Sequence, residues 1–252
     1  MSFIETRTVG DVLELRMARP PVNALNGALL TDLLEALRAA ARGPARAIVL
    51  SGRPGLFSAG LDIPELLAKD PEEMMAFWRL FFDVQRQLAG SPVPVAAAIT
   101  GHSPAGGAVL AMYCDYRVMA QGKYGIGLNE VAVGLYAGPV IHAVLKRVVG
   151  PRRAELLLAT GRLMSPDEAL AFGFVDELAP EADVVTRALE WAQQTARLPQ
   201  MAQAATRTLA RSDLMDLVRD AGLDERDTPA RLWFSPETQA TLKALVERLK
   251  KK

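Results

Sequence analysis

The sequence predicts an α/β protein whose C-terminal part is helical. Up to about Gly150, short runs rich in β-formers alternate with segments of helical periodicity, and beyond it the strand signals nearly vanish. No period of about 20–50 residues repeats, and no low-complexity linker separates the two parts. We therefore expect a mixed α/β core, ending between about residues 150 and 200, and a helical C-terminal part that packs closely on it.

The strands and helices of the core are predicted from hydrophobic spacing and from glycine stops. The predicted strands are Val12–Met17, Ala47–Leu50, Val93–Ile99 and Tyr116–Ala120. The segments Gly27–Gly43 and Pro71–Gly90 carry apolar residues at helical spacing, and each ends on a glycine that suits a helix C-cap. The first half of the chain is thus ordered as alternating strands and helices.

The composition is that of a globular protein without a nucleic-acid or metal signature. Of 252 residues, 50% are hydrophobic and 23% charged, and 29 acidic side chains balance 29 basic ones. Because no stretch concentrates basic and aromatic residues, the sequence has no basic patch that would indicate nucleic-acid binding. The single cysteine, Cys114, excludes a cysteine-built zinc site, and the two histidines, His102 and His142, exclude a histidine-rich metal site. We therefore expect no bound metal.

Neither a membrane span nor a targeting segment is predicted. No apolar run approaches the roughly 20 residues that cross a bilayer. The first residues, MSFIETRTVGD, lack the patterns of a signal or transit peptide, and the last, RLKKK, are not a peroxisomal address of the S-K-L kind. We therefore expect a cytoplasmic location and no membrane partner.

A serine nucleophile is the first candidate chemistry, because a histidine stands beside a serine in GHSPAGGAVLAM (Gly101–Met112). The pattern G-x-S-x-G is not matched around Ser58 or Ser103, and adjacent residues face opposite sides of an extended segment. His142 stays open as a base, but no spacing ties it to either serine. Phosphate loops fail as well, since no G-x-x-x-x-G-K-[ST] occurs and GIGLNE breaks G-x-G-x-x-G at its last position. We therefore favour partly buried, hydrogen-bonded histidines over a serine hydrolase.

A second candidate chemistry uses the main chain of two loops of small residues, Gly55–Ile63 and Ser103–Val109. Each follows a strand and leads towards a helix, and glycine and alanine let a ligand approach backbone N–H groups closely. A helix beginning at the second loop would also present free N–H groups and its positive dipole end to a developing anion. One N–H group from each loop would form an oxyanion hole. The alternative reading of each loop is a tight turn that requires glycine.

Several motifs then stand in the order found in one known family. They are FSAGLDI, ITGHSPAGGAVLAMYCDYRVMA, YGIGLNEVAVG and LLLATGRLMSPDEALAFGFVDEL. With RPPVNALN (Arg19–Asn26) before them and ERLKKK at the tail, the sequence resembles the crotonase (enoyl-CoA hydratase/isomerase) superfamily over essentially its whole length. The resemblance implies a spiral of repeated ββα units over residues 1–195, holding the CoA and acyl site, and a helical trimerisation region over residues 196–252. It also implies acyl-CoA thioesters as substrates and a homotrimer or a dimer of trimers.

The same resemblance implies the residues of the site. The backbone N–H groups of Ala59, in FSAGLD, and of Gly106, in SPAGG, would form the oxyanion hole. The substrate-binding residues implied around these two donors are Ser58, Gly60, Leu61, Asp62, Ile63, Gly107 and Val109. Of this set, the side chains of Asp62 and Ile63 would border the adenine pocket.

The number of catalytic carboxylates distinguishes among the reactions of this superfamily. Members that hydrate a double bond carry two catalytic glutamates, and the position of the first, three residues after Gly106, is Val109 here. The second is kept as Glu130 in GLNEVAVG. One carboxylate suffices for a 1,3-proton shift, in which a base removes a proton and returns it two carbons away. The sequence therefore looks most like the mitochondrial-type Δ3,Δ2-enoyl-CoA isomerases (dodecenoyl-CoA isomerases). These convert 3-enoyl-CoA to trans-2-enoyl-CoA in fatty acid β-oxidation, with no cofactor besides the CoA of the substrate.

Other readings of the same motifs stay open. A single-glutamate member acting as an acyl-CoA hydrolase, a lyase or a carbon–carbon bond-forming enzyme would use the same two loops. A hydratase is less favoured because of Val109, and a non-enzymatic RNA- or partner-binding protein is disfavoured by the neutral charge and by Glu130. The aromatic residues of Met74–Phe82 either wall the acyl pocket or belong to the core.

Overall fold

A large, mostly parallel sheet forms the centre of the computed structural model, which describes residues 2–224 and 229–250. Within these residues the strand order is β1-β2-β3-β5-β7-β9, with β1 antiparallel to β2 and the other neighbours parallel. The strands are β1 Ile4–Val9, β2 Val12–Met17, β3 Ala47–Ser51, β5 Val95–Ile99, β7 Tyr116–Ala120 and β9 Glu177–Ala179. Every residue of β3 and β5 is buried, which explains why all of them except Ser51 are apolar, because helices cover both faces of a parallel sheet.

A smaller parallel sheet lies beside the large one and gives the fold its repeat. Its strands, in the order β4-β6-β8, are β4 Gly55–Leu56, β6 Gly101–Pro104 and β8 Ile126–Gly127. Each follows a strand of the large sheet along the chain, so that β3–β4, β5–β6 and β7–β8 are successive strand pairs, each leading into helical structure. The predicted spiral of ββα units is confirmed.

The helices follow the sequence signals for starting and stopping. Helix α1 is capped by the Asn26 side chain, which accepts from the Leu29 N–H, and α3 begins with a reciprocal capping box between Asp70 and Glu73. The helices before residue 150 are α1 Gly27–Arg42, α2 Ile63–Leu66, α3 Pro71–Ala89, α4 Gly106–Met112 and α5 Pro139–Val149. Those after it are α6 Pro151–Thr160, α7 Pro166–Ala171, α8 Val184–Ala196, α9 Gln200–Ala210, α10 Ser212–Val218, α11 Ala230–Trp233 and α12 Pro236–Lys250, and two short 3-10 segments are Glu130–Val133 and Glu181–Asp183.

All four predicted strands and both predicted helices are present, but several strands carry no clear sequence signal. Strand β5 begins at Val95 rather than Val93, directly after Pro94, which has no N–H for a ladder. The edge strand β1 was not predicted, because four of its six residues are exposed and polar. Strand β9 lies beyond Gly150, so the large sheet is completed by the part of the chain expected to be helical. The division into 1–195 and 196–252 stays a prediction.

A buried ion cluster fastens the late helices to the core. The Asp115 carboxylate accepts hydrogen bonds from the Val95 N–H at 2.8 Å and from the guanidinium groups of Arg207 and Arg211 at 2.9 Å. Arg211 also donates to the carbonyls of Ala89 and Tyr113. One carboxylate thus joins β5 to α9 and to Arg211, the residue between α9 and α10. Among the helices of residues 2–224 and 229–250, none combines the length and apolar character needed to cross a bilayer.

Candidate active site

The two glycine-containing loops that the sequence singled out are in direct contact. A Cβ atom on Gly60, in the loop between β4 and α2, would lie 3.1 Å from the Pro104 carbonyl oxygen and 3.2 Å from the Ala105 Cβ. A Cβ atom on Gly107, in α4, would lie 3.1 Å from the Ser58 Cβ and 3.2 Å from the Ser58 carbonyl oxygen, both in the first loop. The φ angle of Gly60 is +86°, which side chains rarely adopt. Glycine at these positions therefore lets the two loops close on each other.

Helix α4 starts at Gly106 with a free backbone donor. Its seven residues are buried, and Ala105 before it takes a positive φ of +46°, an unusual conformation for a residue with a side chain. No acceptor faces the Gly106 N–H within the described part of the chain. As the first N–H of a buried helix it also lies at the positive end of the helix dipole. The arrangement can donate to a negatively charged oxygen.

The N–H of Ala59 has an acceptor in the protein. It donates to the Val22 carbonyl at 3.0 Å, while the Leu25 N–H donates to the Gly60 carbonyl at 2.7 Å and the Asp62 N–H to the Leu25 carbonyl at 3.0 Å. The segment 22–25 therefore holds the first loop from outside through the main chain. A substrate oxygen bound to Ala59 would share its N–H with the Val22 carbonyl or replace that carbonyl, so Ala59 as an oxyanion donor stays a prediction.

Glu130 presents a buried carboxyl group with little to stabilise its charge. It is the first residue of the 3-10 segment Glu130–Val133 and is 8% exposed, and its Oε2 has no hydrogen-bond partner among the described residues. Burial raises the pKa of this carboxyl to about 7, and a backbone hydrogen bond opposes the shift. A carboxyl group with such a pKa can both accept and return a proton near neutral pH.

The segment that carries Glu130 is fixed by the last helix. Gly134 ends the segment with a φ of +75°, and a Cβ atom there would lie 2.9 Å from the Cβ of Thr241 in α12. The Thr238 hydroxyl, also in α12, donates to the Gly134 carbonyl at 2.8 Å. The C-terminal helix thus contributes to the position of the buried carboxyl group.

A narrow cavity brings four of the predicted site residues together. Leu61, Gly106, Val109 and Glu130 line it. Its other described walls are Trp78, Phe81, Leu135, Ala137, Ile141 and Pro229. Gly106, whose N–H is free, thus lines the same apolar cavity as the buried Glu130 and the aliphatic Val109. The sequence did not indicate Leu135, Ala137 and Ile141 as site residues, because they lie after Glu130 and outside every recognised motif.

The remaining predicted binding residues make contacts within the protein. The Ser58 hydroxyl donates to the Asn23 carbonyl at 2.8 Å and accepts from the Gly60 N–H at 3.1 Å, so it shapes the first loop. Asp62 caps α2 and forms an ion pair with Arg19 at 2.8 Å. Ile63 is 8% exposed and, like Ser58, Asp62 and Gly107, does not line the cavity. The expected adenine contacts of Asp62 and Ile63 stay a prediction.

The histidine and serine of the opening motif form no catalytic pair. The His102 Nδ1 accepts from the Gly125 N–H at 3.1 Å, which joins β6 to the turn before β8. The Ser103 hydroxyl is fully buried and has no hydrogen-bond partner among the described residues, and His142 lies on α5. Over residues 2–224 and 229–250, no hydrogen bond joins either Ser58 or Ser103 to a histidine. In the same residues, no group of three or more potential ligands is arranged to hold a metal ion.

Known proteins are similar in sequence to most or nearly all of this chain. The chain matches the family model described as Enoyl-CoA hydratase/isomerase over residues 7–252. It is 32% identical over 255 residues to Enoyl-CoA delta isomerase 1, mitochondrial, of Homo sapiens, covering 98% of this chain and 83% of the relative. It is 34% identical over 194 residues to Probable enoyl-CoA hydratase echA17 of Mycobacterium avium, covering 77% of this chain and 75% of the relative.

The match in three dimensions is equally extensive. The crystal structure of human mitochondrial delta3-delta2-enoyl-CoA isomerase superposes with a TM-score of 0.93 at 32% identity, and 99% of each chain is covered. The strand pairs, the two contacting loops and the full-length matches lead to one conclusion. The chain belongs to the enoyl-CoA hydratase/isomerase family.

Proposed function

We propose that this protein isomerises 3-enoyl-CoA to trans-2-enoyl-CoA by a 1,3-proton shift, as a step in fatty acid β-oxidation. The observation that carries the proposal is the buried carboxyl of Glu130, the one acidic residue among the described walls of the cavity, which Gly106 also lines. The chain's likeness to proteins named as enoyl-CoA delta isomerases supports it. The reaction is neutral in electrons and protons, so it requires no cofactor besides the CoA of the substrate.

The proposed steps use one base and the backbone. The thioester oxygen accepts hydrogen bonds from the N–H groups of Gly106 and Ala59. The Glu130 carboxylate removes a proton from C2, and the electron pair delocalises as a dienolate whose oxygen carries the negative charge. The resulting carboxylic acid returns the proton to C4, which leaves the double bond between C2 and C3. Oxyanion donors of this kind contribute about 2.7–4 kcal/mol each to the lowering of a barrier.

Val109 argues for isomerisation over hydration. Its side chain is 1% exposed and lines the cavity at the position where hydratases of the family carry an acid. Adding water to a double bond needs one group to activate the water and another to deliver the α-proton, and an aliphatic side chain does neither. Val109 also excludes water from the cavity, which helps to keep the pKa of Glu130 high.

The decisive experiment follows the ultraviolet absorbance of the conjugated thioester when the purified full-length chain meets a 3-enoyl-CoA. We expect the absorbance to rise, and we expect crotonyl-CoA to be hydrated poorly or not at all. Hydration of crotonyl-CoA at a rate comparable to the isomerisation would contradict the proposal. Val109→Ala widens the cavity without adding an acid, so this variant should also hydrate crotonyl-CoA poorly or not at all.

We further propose a homotrimer or a dimer of trimers located in the cytoplasm. Helix α9 supports an assembly, because none of its residues is buried while the side chains of Met201 and Leu209 are 89% and 78% exposed. Light scattering that shows a stable monomer at micromolar concentration would contradict the assembly. The cytoplasmic location differs from the mitochondrial one in the names of the mammalian relatives, and fractionation of cells that produce the chain tests it.

A further inference from the structure

Strand β1 (Ile4–Val9) is an open edge of the large sheet. It pairs with β2 on one side, and among the described strands none lies on its other side. Its four successive residues 5–8 are exposed, and the strand has neither a proline nor a break in its pairing with β2. Such an edge presents unpaired main-chain groups to a strand of another chain. We therefore examined it as an interaction surface.

The even-numbered residues of β1 direct their main-chain groups to the open side. The Ala18 N–H donates to the Phe3 carbonyl at 2.8 Å, directly before the ladder between β1 and β2 begins. Because alternate residues of an antiparallel strand bond to the same neighbour, the odd-numbered residues of β1 face β2. Outside that ladder, the described part of the chain offers no donor or acceptor to the main chain of Thr6 or Thr8. Each of these threonines thus has one N–H and one carbonyl available for another strand.

The charged side chains of β1 and β2 alternate in sign across the sheet. Arg7 forms an ion pair with Glu14 at 2.7 Å. Glu5 forms an ion pair with Arg16. The Glu5 and Arg7 side chains are still 55% and 60% exposed, so each has room for a second partner of opposite charge on the open side. All four side chains line a groove of about 780 Å³, which leaves space for the side chains of another chain.

These charges select one register for a second copy of β1. The antiparallel registers that pair most of the strand have their two-fold axis at Glu5, Thr6 or Arg7. An axis at Glu5 or at Arg7 brings two like charges together. An axis at Thr6 instead places Glu5 of each copy opposite Arg7 of the other, at positions where side chains of paired strands come closest. We propose that β1 pairs with β1 of a second copy of this chain, antiparallel, about a two-fold axis at Thr6.

The pairing satisfies the edge and continues its charge pattern. The two Thr6 residues exchange two main-chain hydrogen bonds, and opposite charges then alternate across four strands, β2 and β1 of each copy. The Ile4 N–H already donates to the Ser2 hydroxyl at 3.1 Å, so the contact is short and centred on Thr6. Three such contacts would join two of the proposed trimers, and contacts that act together bind far more tightly than one. The pairing itself rests neither on the proposed reaction nor on the proposed trimer.

The first test introduces a cysteine at the axis of the full-length chain. In Thr6→Cys the two Cα atoms would lie about 5.5 Å apart, which suits a disulfide, whereas the native Cys114 is buried. Thr8→Cys is the matched control, exposed on the same edge, because its two copies would lie about 14 Å apart along the strands. With oxidised glutathione, a non-reducing gel should show at least roughly tenfold more covalent dimer in Thr6→Cys than in Thr8→Cys. Equal yields, or no dimer in Thr6→Cys, would overturn the inference.

The second test exchanges charges between two copies. Glu5→Arg places arginines opposite Arg7, and Arg7→Glu places glutamates opposite Glu5, so sedimentation should show pairing at least roughly tenfold weaker in either variant alone. An equal mixture of the two variants restores both opposite-charge pairs and should pair within about threefold of the wild type. If Arg7→Glu does not fold, Glu5→Arg added to Thr6→Cys should lower the yield of covalent dimer instead.

The possible results separate the pairing from the proposed assembly and reaction. Pairing that Glu5→Arg leaves unchanged, or that the mixture does not restore, would overturn the inference. A wild-type trimer whose mass does not double at micromolar concentration would overturn it as well and would leave the trimer intact. Paired copies that show no isomerisation would uphold the edge pairing and contradict the proposed function.

Discussion

Two carboxylates in the interior of this protein have opposite surroundings. Asp115, whose side chain is 15% exposed, accepts from a backbone N–H and from two guanidinium groups. Glu130 is similarly buried, but its Oε2 has no partner among the described residues and apolar side chains surround it. The comparison teaches that the partners, rather than burial alone, divide structural from chemical roles. A paired charge holds elements together, and an unpaired one is poised to exchange a proton.

The strongest test of the difference between the two carboxylates is to neutralise each of them in turn. Glu130→Gln keeps the size of the side chain and removes the base, so isomerisation should fall by about 10²–10⁴-fold. Asp115→Asn should retain turnover per folded molecule, because Asp115 lies outside the cavity. Initial rates with a 3-enoyl-CoA, normalised to folded protein by circular dichroism, provide the measurement. Near-wild-type turnover in Glu130→Gln would remove the base from the mechanism.

Stability should respond in the reverse order. Asp115→Ala leaves Arg207 and Arg211 without their shared counter-charge, and removing one partner of a buried pair costs about 3–5 kcal/mol of unfolding free energy. The control is Asp213→Ala, which removes a 61% exposed partner of Arg147 and should cost no more than about 1 kcal/mol. Urea unfolding of the three proteins measures both values. Equal losses of unfolding free energy in the two variants would show that the cluster at Asp115 stabilises the fold no more than an exposed ion pair does.

Glu130→Gln should make the protein more stable at alkaline pH. The folded pKa of about 7 lies above the ordinary value of 4.5 for a glutamate, so protonation favours the folded state. That stabilisation is complete below pH 4.5 and is lost as the pH rises through 7. Relative to the wild type, the variant should therefore gain roughly 2–3 kcal/mol between pH 5 and pH 8. A difference in unfolding free energy that does not change with pH would show that the carboxyl titrates normally.

The smallest effect is the pH dependence of the wild-type rate. In the proposed mechanism Glu130 must be ionised to remove the first proton, and its pKa is raised to about 7 by burial. The value of kcat/KM should therefore fall about tenfold for each unit of pH below 7 and level off above it. A profile that stays flat down to about pH 5 would indicate a base with an ordinary carboxyl pKa.

The sequence was informative wherever a side chain or a glycine carried the structure. Apolar runs predicted β3 and β5, glycine stops predicted the ends of α1 and α3, and the motif around Glu130 identified the carboxyl group in the cavity. Resemblance to the family supplied the spiral, because a two-residue strand such as Ile126–Gly127 has no periodicity to detect.

Features made by the main chain or by distant packing were not predictable. The Ala59 N–H donates to the Val22 carbonyl. Because every residue type has a main-chain carbonyl, the sequence does not indicate this hydrogen bond. The walls at Leu135 and Ile141 belong to a loop and a helix whose apolar residues look like ordinary core in the sequence. Strand β9 is three residues long and depends on its neighbour β7 for its conformation.

The free N–H at Gly106 also determines what mutagenesis of this enzyme can detect. A peptide N–H survives almost every coding change. A scan of single substitutions would therefore detect the proposed base, Glu130, directly, and would detect the proposed oxyanion donor only through altered backbone shape. Natural drift would leave the donor intact as side chains around it changed, provided that the turn kept its conformation. Exposing its contribution directly takes chemistry outside the genetic code, such as an ester linkage that substitutes oxygen for this nitrogen.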